Sequence, residues 1–338
     1  MAVRLQDIAR KLNLSSMTVS RVLNRPEGTY ISKETERRVL QAAAEMGYSP
    51  NRHARALATG RALTIAVWIS HLDSSAYTQI ARCCRDEIEG AGLQASISAL
   101  HWHFAATEQH RQLDSSVDGI LAVDPPEPGM LSSLLGETTL HRTPRVNLGS
   151  GREVEWDGDF VRVDLSEGTR VAIRHLVQSG CRRIAYSVPY SVHVPGAGNY
   201  NAYVESLQSA GLRPELIIHK QWDMPSVRSD ILAHVRAFGK PDGLYCHNDE
   251  FAIAAFRALR DLNLRVPKDV LLIGCEGNEF MEYFDPPLST ISMPIQKMCQ
   301  TAWKLLQSRL ENAQAPAEKV ILPHEFLQRD SSNPNLRH

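Results

Sequence analysis

Short polar side chains sharing one helix face, with an arginine among them, can read the edges of base pairs. The stretch SSMTVSRVLN, Ser15 to Asn24, has that make-up. As a helix it turns Val19, Val22 and Leu23 to one side. Met17, Ser20, Arg21 and Asn24, at i, i+3, i+4 and i+7, face the other way. That outer face is low enough to let the backbone approach a groove, and Arg21 can offer guanine O6 and N7 two donors.

Other residues invite chemistry and offer less. His101 and His103 in HWHF, with His110 nearby, bring no carboxylate or cysteine partner at ligand spacing, so a metal is not expected. The six cysteines (Cys83, Cys84, Cys181, Cys246, Cys275 and Cys299) form no C-x-x-C pair and read as reduced, mostly buried thiols. No G-x-G-x-x-G, P-loop, G-x-S-x-G or H-E-x-x-H is present. An enzyme with a regulatory head is therefore the weaker reading, and no cofactor is expected.

The elements that must position the polar face are legible around it. Leu5, Ile8, Ala9 and Leu12 make the stripe of a preceding helix, Asn13 and Leu14 a tight turn, and Ser15 an N-cap. A third helix follows, capped by Ser32, with Val39, Leu40, Ala43 and Met46 as its stripe and Gly47 and Pro50 at its end. Two short helices joined by a tight turn and braced by a third form a helix-turn-helix domain. Residues 1–61 carry eleven Lys and Arg against five Asp and Glu, whereas the whole chain of 338 residues has a net charge of −1. A basic head on an acidic body directs the head towards a polyanion.

Beyond Arg61, apolar runs alternate with helical stretches: LTIAVWI, LQASISAL, VDGILAV and RVNLG, then CRRIAYSV, LIIHK, DGLYC and DVLLIGC. The alternation predicts two parallel-sheet α/β lobes, with a ligand cleft outside the carboxyl ends of the strands. No apolar run is long enough to cross a membrane and no signal-peptide pattern opens the chain, so a cytoplasmic protein without membrane contact is expected.

The T-V-S-R-V-L-N run and the G-Y-S-P-N-R-H-A-R-A-L run resemble the headpiece of the lac/gal repressor family of bacterial transcription regulators. The runs VDGILAV, VDLSEGTRVAIRHLVQSGCRRIAY, DGLYCHNDEFAIAAFRALRDLNLRVPKDVLLIGCE and PPLSTISMPIQKM are similar to its core, which shares a fold with periplasmic sugar-binding proteins. The resemblance implies an all-α headpiece (1–50), a hinge helix and linker (51–61) and a two-lobed effector-binding and dimerisation core (62–332). The first lobe spans about 62–160 and 292–325, the second about 161–291, with PPLSTI as the last crossing.

It also implies roles. Ser16, Met17 and Arg21 fall where the family reads bases, and Thr18, Ser20 and Asn24 where it holds phosphates. In the hinge stretch, which includes Asn51, Arg52 and Ala54, Leu57 matches the residue that wedges between base pairs from the minor groove, bending the DNA. In the cleft, Tyr77 and Trp222 match the aromatics that stack on a ligand, Asn248 and Asp249 an N-D pair, and Glu276 a position usually held by Asp; Asp124, at another strand end, is a further candidate. Asn199 stands where most members carry a ligand-binding Arg, and an Asn cannot form that bidentate fork. The first-lobe motif HLDSSAY also departs from the family's usual Asn-Pro-Phe-rich one. The expected protein is a homodimeric repressor on operator DNA, governed by a small sugar-like effector, or else a regulator whose cleft no longer answers to a ligand.

Overall fold

The computed structural model describes residues 3–24, 31–48, 62–70, 74–100, 117–125, 143–150, 158–191 and 198–336. The chain divides into two compact units, residues 1–63 and 64–338.

The first unit holds α1 (Leu5–Leu12), α2 (Ser16–Asn24) and α3 (Lys33–Glu45). Asn13 ends α1 in the left-handed conformation, φ 52°, which lets the chain reverse at once into α2. Ser15 caps α2 by accepting from the Thr18 N–H at 3.0 Å, and Ser32 caps α3 by accepting from the Thr35 N–H at 3.2 Å. Ile8 and Ala9 of α1, Val19 and Val22 of α2, and Val39, Ala42 and Ala43 of α3 close the small core. One expectation needs correcting: Leu40 is 42% exposed. The buried positions 39, 42 and 43 hold the stripe, and Leu40, one residue from Val39, is rotated about 100° off it.

The second unit contains two six-stranded sheets. β1 (Thr64–Ile69), β2 (Gln94–Ala99), β3 (Gly119–Val123), β4 (Arg145–Gly149), β5 (Asp159–Val163) and β11 (Lys319–Leu322) form the first, in the order β11-β5-β4-β3-β1-β2 and parallel throughout. β6 (Ile184–Pro189), β7 (Glu215–His219), β8 (Gly243–Cys246), β9 (Leu271–Glu276), β10 (Ser289–Ser292) and β12 (Glu325–Leu327) form the second, ordered β12-β10-β9-β8-β6-β7. Among the described strands only β12 runs antiparallel to its neighbour. GILAV and IAYSVP are buried along their whole length, as strands covered on both faces must be.

Helices α4 (Ser75–Gly90) and α9 (Ile295–Glu311) supply Cys84, Ile88, Met298 and Trp303 to one face of the first sheet. α5 (Leu165–Gln178) and α6 (Gly198–Ser209) bring Leu176 and Tyr203 against Tyr186 and Tyr245 of the second. α7 (Met224–Phe238) and α8 (Asp249–Asp261) seal its opposite face with Ile231, Phe251 and Ala255.

The chain passes between the sheets after β5, after β10 and after β11. The passage at PPLSTI is therefore not the last: β12 returns to the second sheet, and residues 325–332 belong with it. There Ser331 and Ser332 are fully buried. The Ser331 hydroxyl donates to the Leu272 carbonyl at 2.6 Å, and the Ser289 N–H donates to the Ser331 hydroxyl at 2.8 Å.

Candidate nucleic-acid interface and ligand cleft

On α2 the burial divides the two faces as the spacing predicts. Val19 and Val22 are sealed into the core, while Met17 is 64% exposed. Ser16 and Arg21 are exposed, and Thr18 and Ser20 are half-buried. The Thr18 hydroxyl shares a 2.8 Å hydrogen bond with the capping hydroxyl of Ser15, which holds the first turn rigid. Asn24 closes the helix. Peptide N–H groups at the first turn of such a helix suit a phosphate, and the outer residues suit base edges. Asn51, Arg52, Ala54 and Leu57 lie outside the described residues, as do His101, His103 and His110.

In the second unit a polar cluster forms at the carboxyl ends of the strands. Asp124 follows β3 with φ 41°, and Glu276 ends β9 with φ 99°. Non-glycine residues rarely adopt such values, and the cost is accepted where a side chain must be aimed. Tyr77, in the first turn of α4, donates its hydroxyl to Asp124 Oδ2 at 2.8 Å, and the Ser150 N–H donates to Asp124 Oδ1 at 3.1 Å. A Cβ at Gly149 overlaps the Asp124 carboxylate, so only glycine lets that side chain lie across β4. Burial, reinforced by Asp124 and Glu276, raises the Tyr77 phenol well above its ordinary pKa, so it remains a donor.

The two residues of the N-D pair divide their duties. Asn248 caps α8, its side chain accepting from the Phe251 N–H at 2.9 Å. Asp249 is fully buried and accepts from the Thr290 hydroxyl at 2.7 Å and from the Asn278 N–H at 2.5 Å. It thereby ties α8 to β10 and to the loop after β9. Burial pushes its pKa up to about 7 against these bonds. Glu276 is likewise raised well above the usual carboxylate range, by burial first and then by Glu250, Asp249 and Asp124.

Around this floor, Trp222 stands 44% exposed. Its ring meets His247 edge-on at 5.7 Å and Phe251 at 5.9 Å. Desolvation lowers His247 to about 4 and so keeps it neutral. The structure thus brings Tyr77, Asp124, Asp249 and Glu276 within electrostatic reach of one another, with Asn248 capping α8 and Trp222, just before α7, packed against Phe251 near that end of α8. Asn199 sits half-buried in the first turn of α6, and no described contact joins it to that cluster.

Three participants were not singled out from the sequence. Ser75 opens α4 on the first lobe; its N–H and hydroxyl both donate to Glu250 Oε1, at 2.8 and 2.5 Å. The Asn278 amide donates to the Ser75 hydroxyl at 2.6 Å. Glu250 and Asn278 belong to the second lobe, so these bonds cross the cleft. Only the local cues, a serine at a helix start and an Asn after a strand-ending Glu-Gly, could have marked them. A second array resembles a catalytic triad: Ser187 Oγ lies 2.8 Å from His219 Nε2, and His219 Nδ1 lies 3.0 Å from Asp230. Ser187 and His219 are completely buried between β6, β7 and α7, where no substrate can reach the hydroxyl. The array satisfies buried polar groups.

Residues 4–51 match the family described as bacterial regulatory proteins, lacI family, and residues 173–332 match the periplasmic binding protein-like domain. The chain is 27% identical to the HTH-type transcriptional regulator RegA of Clostridium saccharobutylicum, over 98% of this chain and 100% of the relative. It is 26% identical to the HTH-type transcriptional repressor PurR of Erwinia tasmaniensis, over 97% and 96%. Among solved structures, the lac repressor dimer bound to operator and the anti-inducer ONPF superposes with a TM-score of 0.82 at 25% identity, covering 98% of this chain and 99% of the other. The transcriptional regulator CelR–cellobiose complex, at 23% identity and a TM-score of 0.67, covers 97% and 99% and shares the fold.

Proposed function

Because this chain belongs to the lacI family of bacterial regulatory proteins, we propose that it represses transcription from a pseudo-palindromic operator as a cytoplasmic homodimer, under control of a small polar ligand. The chain is a DNA-binding regulator and not an enzyme. The observation that carries the reading is α2: one face locked into the three-helix core, the other presenting Ser16, Met17 and Arg21 outward. On this reading Arg21 pairs with guanine, the Met17 thioether meets a thymine methyl, and Thr18, Ser20 and Asn24 hold phosphates. Leu57, with Asn51, Arg52 and Ala54, enters the minor groove at the operator centre.

The second copy is placed against a groove of about 400 Å³ whose apolar Ile253, Phe256, Tyr283 and Phe284 are flanked by Arg257, Arg260 and Asp285, with Tyr283 83% exposed. A head making few phosphate contacts needs a second copy for useful specificity. The effector reading rests on the cleft: Trp222 offers an aromatic platform, and Tyr77, Asp124 and Glu276 offer hydrogen-bonding groups of the kind that fix a sugar or sugar derivative. Ligand-driven rotation of the lobes alters hinge spacing, with a coupling of about 1–3 kcal/mol.

A second reading, a regulator that needs no ligand, is favoured by the Ser75 bonds, which join the lobes directly. Selection of genomic fragments by the purified full chain tests the main reading, with its mass measured in solution. A monomer that enriches no fragment refutes it. Calorimetry against sugars and their derivatives separates the two readings, since silence throughout supports the second.

A further inference from the structure

The cleft has an imbalance of charge that a plain sugar does not resolve. Oε2 of Glu276 and Oε2 of Glu250 are sealed from solvent and accept no hydrogen bond, and the hydroxyl of Ser74, next to Ser75 in the chain, is likewise unpartnered. Asp249, by contrast, is fully occupied by Thr290 and Asn278. Unpaired carboxylate oxygens in a buried site carry a desolvation penalty until a donor arrives. Glu276 also bears the like charges of Glu250, Asp249 and Asp124. No ion pair between described residues involves Asp249, Glu250 or Glu276. Nor do these carboxylates converge tightly: among the described residues no group of three could ligate a metal ion.

We propose that the effector is a cation, a polyhydroxylated amine of the amino-sugar class, whose ammonium group lies between Glu276 and Glu250. This rests on the cleft being an effector site. An ammonium supplies three donors and one positive charge, which answers both orphaned oxygens and the repulsion among the acids. Its hydroxyls then face Asp124 and its apolar ring face turns to Trp222. A carboxylate or phosphate on the ligand meets the same acids as repulsion.

The test is calorimetry and thermal shift of the full chain with matched triples: glucosamine, glucose and glucuronate, then galactosamine, galactose and galacturonate. Putrescine forms a further arm, which a simple charge sink binds as well as an amino sugar does. The expected result is that an amino sugar binds at least tenfold more tightly than its neutral and acidic counterparts, and more tightly than putrescine. Glu276→Gln, which keeps size and one acceptor, should weaken the amino sugar at least tenfold while leaving the melting temperature equal or higher. Glu250→Gln serves as an independent second variant. Preferred binding of a neutral or acidic member overturns the cationic class and leaves the effector reading standing. Silence from every amine overturns the proposal, and operator selection by the same sample then still stands for the DNA-binding reading.

Discussion

Replacing Ser75 by Ala removes one oxygen atom and two of the three hydrogen bonds that, among the described residues, Ser75 makes across the cleft. The hydroxyl donates to Glu250 Oε1 at 2.5 Å and accepts from the Asn278 amide at 2.6 Å; the 2.8 Å bond from the Ser75 N–H survives. A hydrogen bond to a carboxylate contributes about 1.5–3 kcal/mol and a neutral one about 0.5–1.5 kcal/mol, the opened form regaining part of this from water. A net loss of about 2 kcal/mol for the closed arrangement follows, which shifts a closed–open equilibrium roughly thirtyfold. Small-angle scattering from the ligand-free full chain should show a larger radius of gyration for Ser75→Ala. Ser75→Thr, which keeps the hydroxyl, should resemble the wild type. If Ser75→Ala folds normally and its scattering and operator affinity match the wild type, the bonds across the cleft do not govern closure.

Three further outcomes are expected. Arg21→Ala should weaken a selected operator by about 1–3 kcal/mol in gel-shift titrations and leave random DNA nearly unaffected, since a base-reading contact is lost and the phosphate contacts remain. Gly274→Ala drives a Cβ into the Asp249 carboxylate and to 2.8 Å from Met281 Cε, so urea denaturation should report a loss of about 1–3 kcal/mol. For Asp249, folding raises the pKa from 3.8 to about 7, so its contribution is fully present below pH 3.8 and is lost as pH rises through 7. Between pH 6.5 and 8 the wild type should lose about 1 kcal/mol more than Asp249→Asn, read from urea midpoints. His219 and His247, both lowered by burial, act below that window and with the opposite sign.

What the sequence made legible is what local periodicity and capping encode. Ser15 and Ser32 stand where a cap must, and Val19 and Val22 face inward because their spacing allows nothing else. Most strands of the sheet interiors are visible as largely apolar runs, but β10, Ser-Thr-Ile-Ser, is not. Strand β5, with Asp159 and Arg162 in its five residues, lacks that appearance and was not expected. Edge strands β11 and β12, of four and three residues, are too short to register as strands in the sequence. Leu40 was misplaced because two adjacent apolar residues offer two possible stripes, and only packing against α1 chooses between them. In the cleft, the Ser75–Glu250 and Ser75–Asn278 bonds join residues 175 and 203 positions apart, which no local pattern records. Asp249 was legible as a polar residue after a strand; its role as the floor depends on Thr290, which arrives with β10.

Because the edge positions of both sheets are filled from residues 319–327, neither lobe is contiguous in the sequence. A nascent chain emerging from the ribosome has every interior strand of the first sheet long before β11 can cover β5, and β10 waits in the same way for β12. During that interval each sheet exposes a bare margin able to recruit strands from other chains. Translation that halts near residue 315 leaves both margins open at once, so such truncated products are aggregation hazards and not half-working regulators.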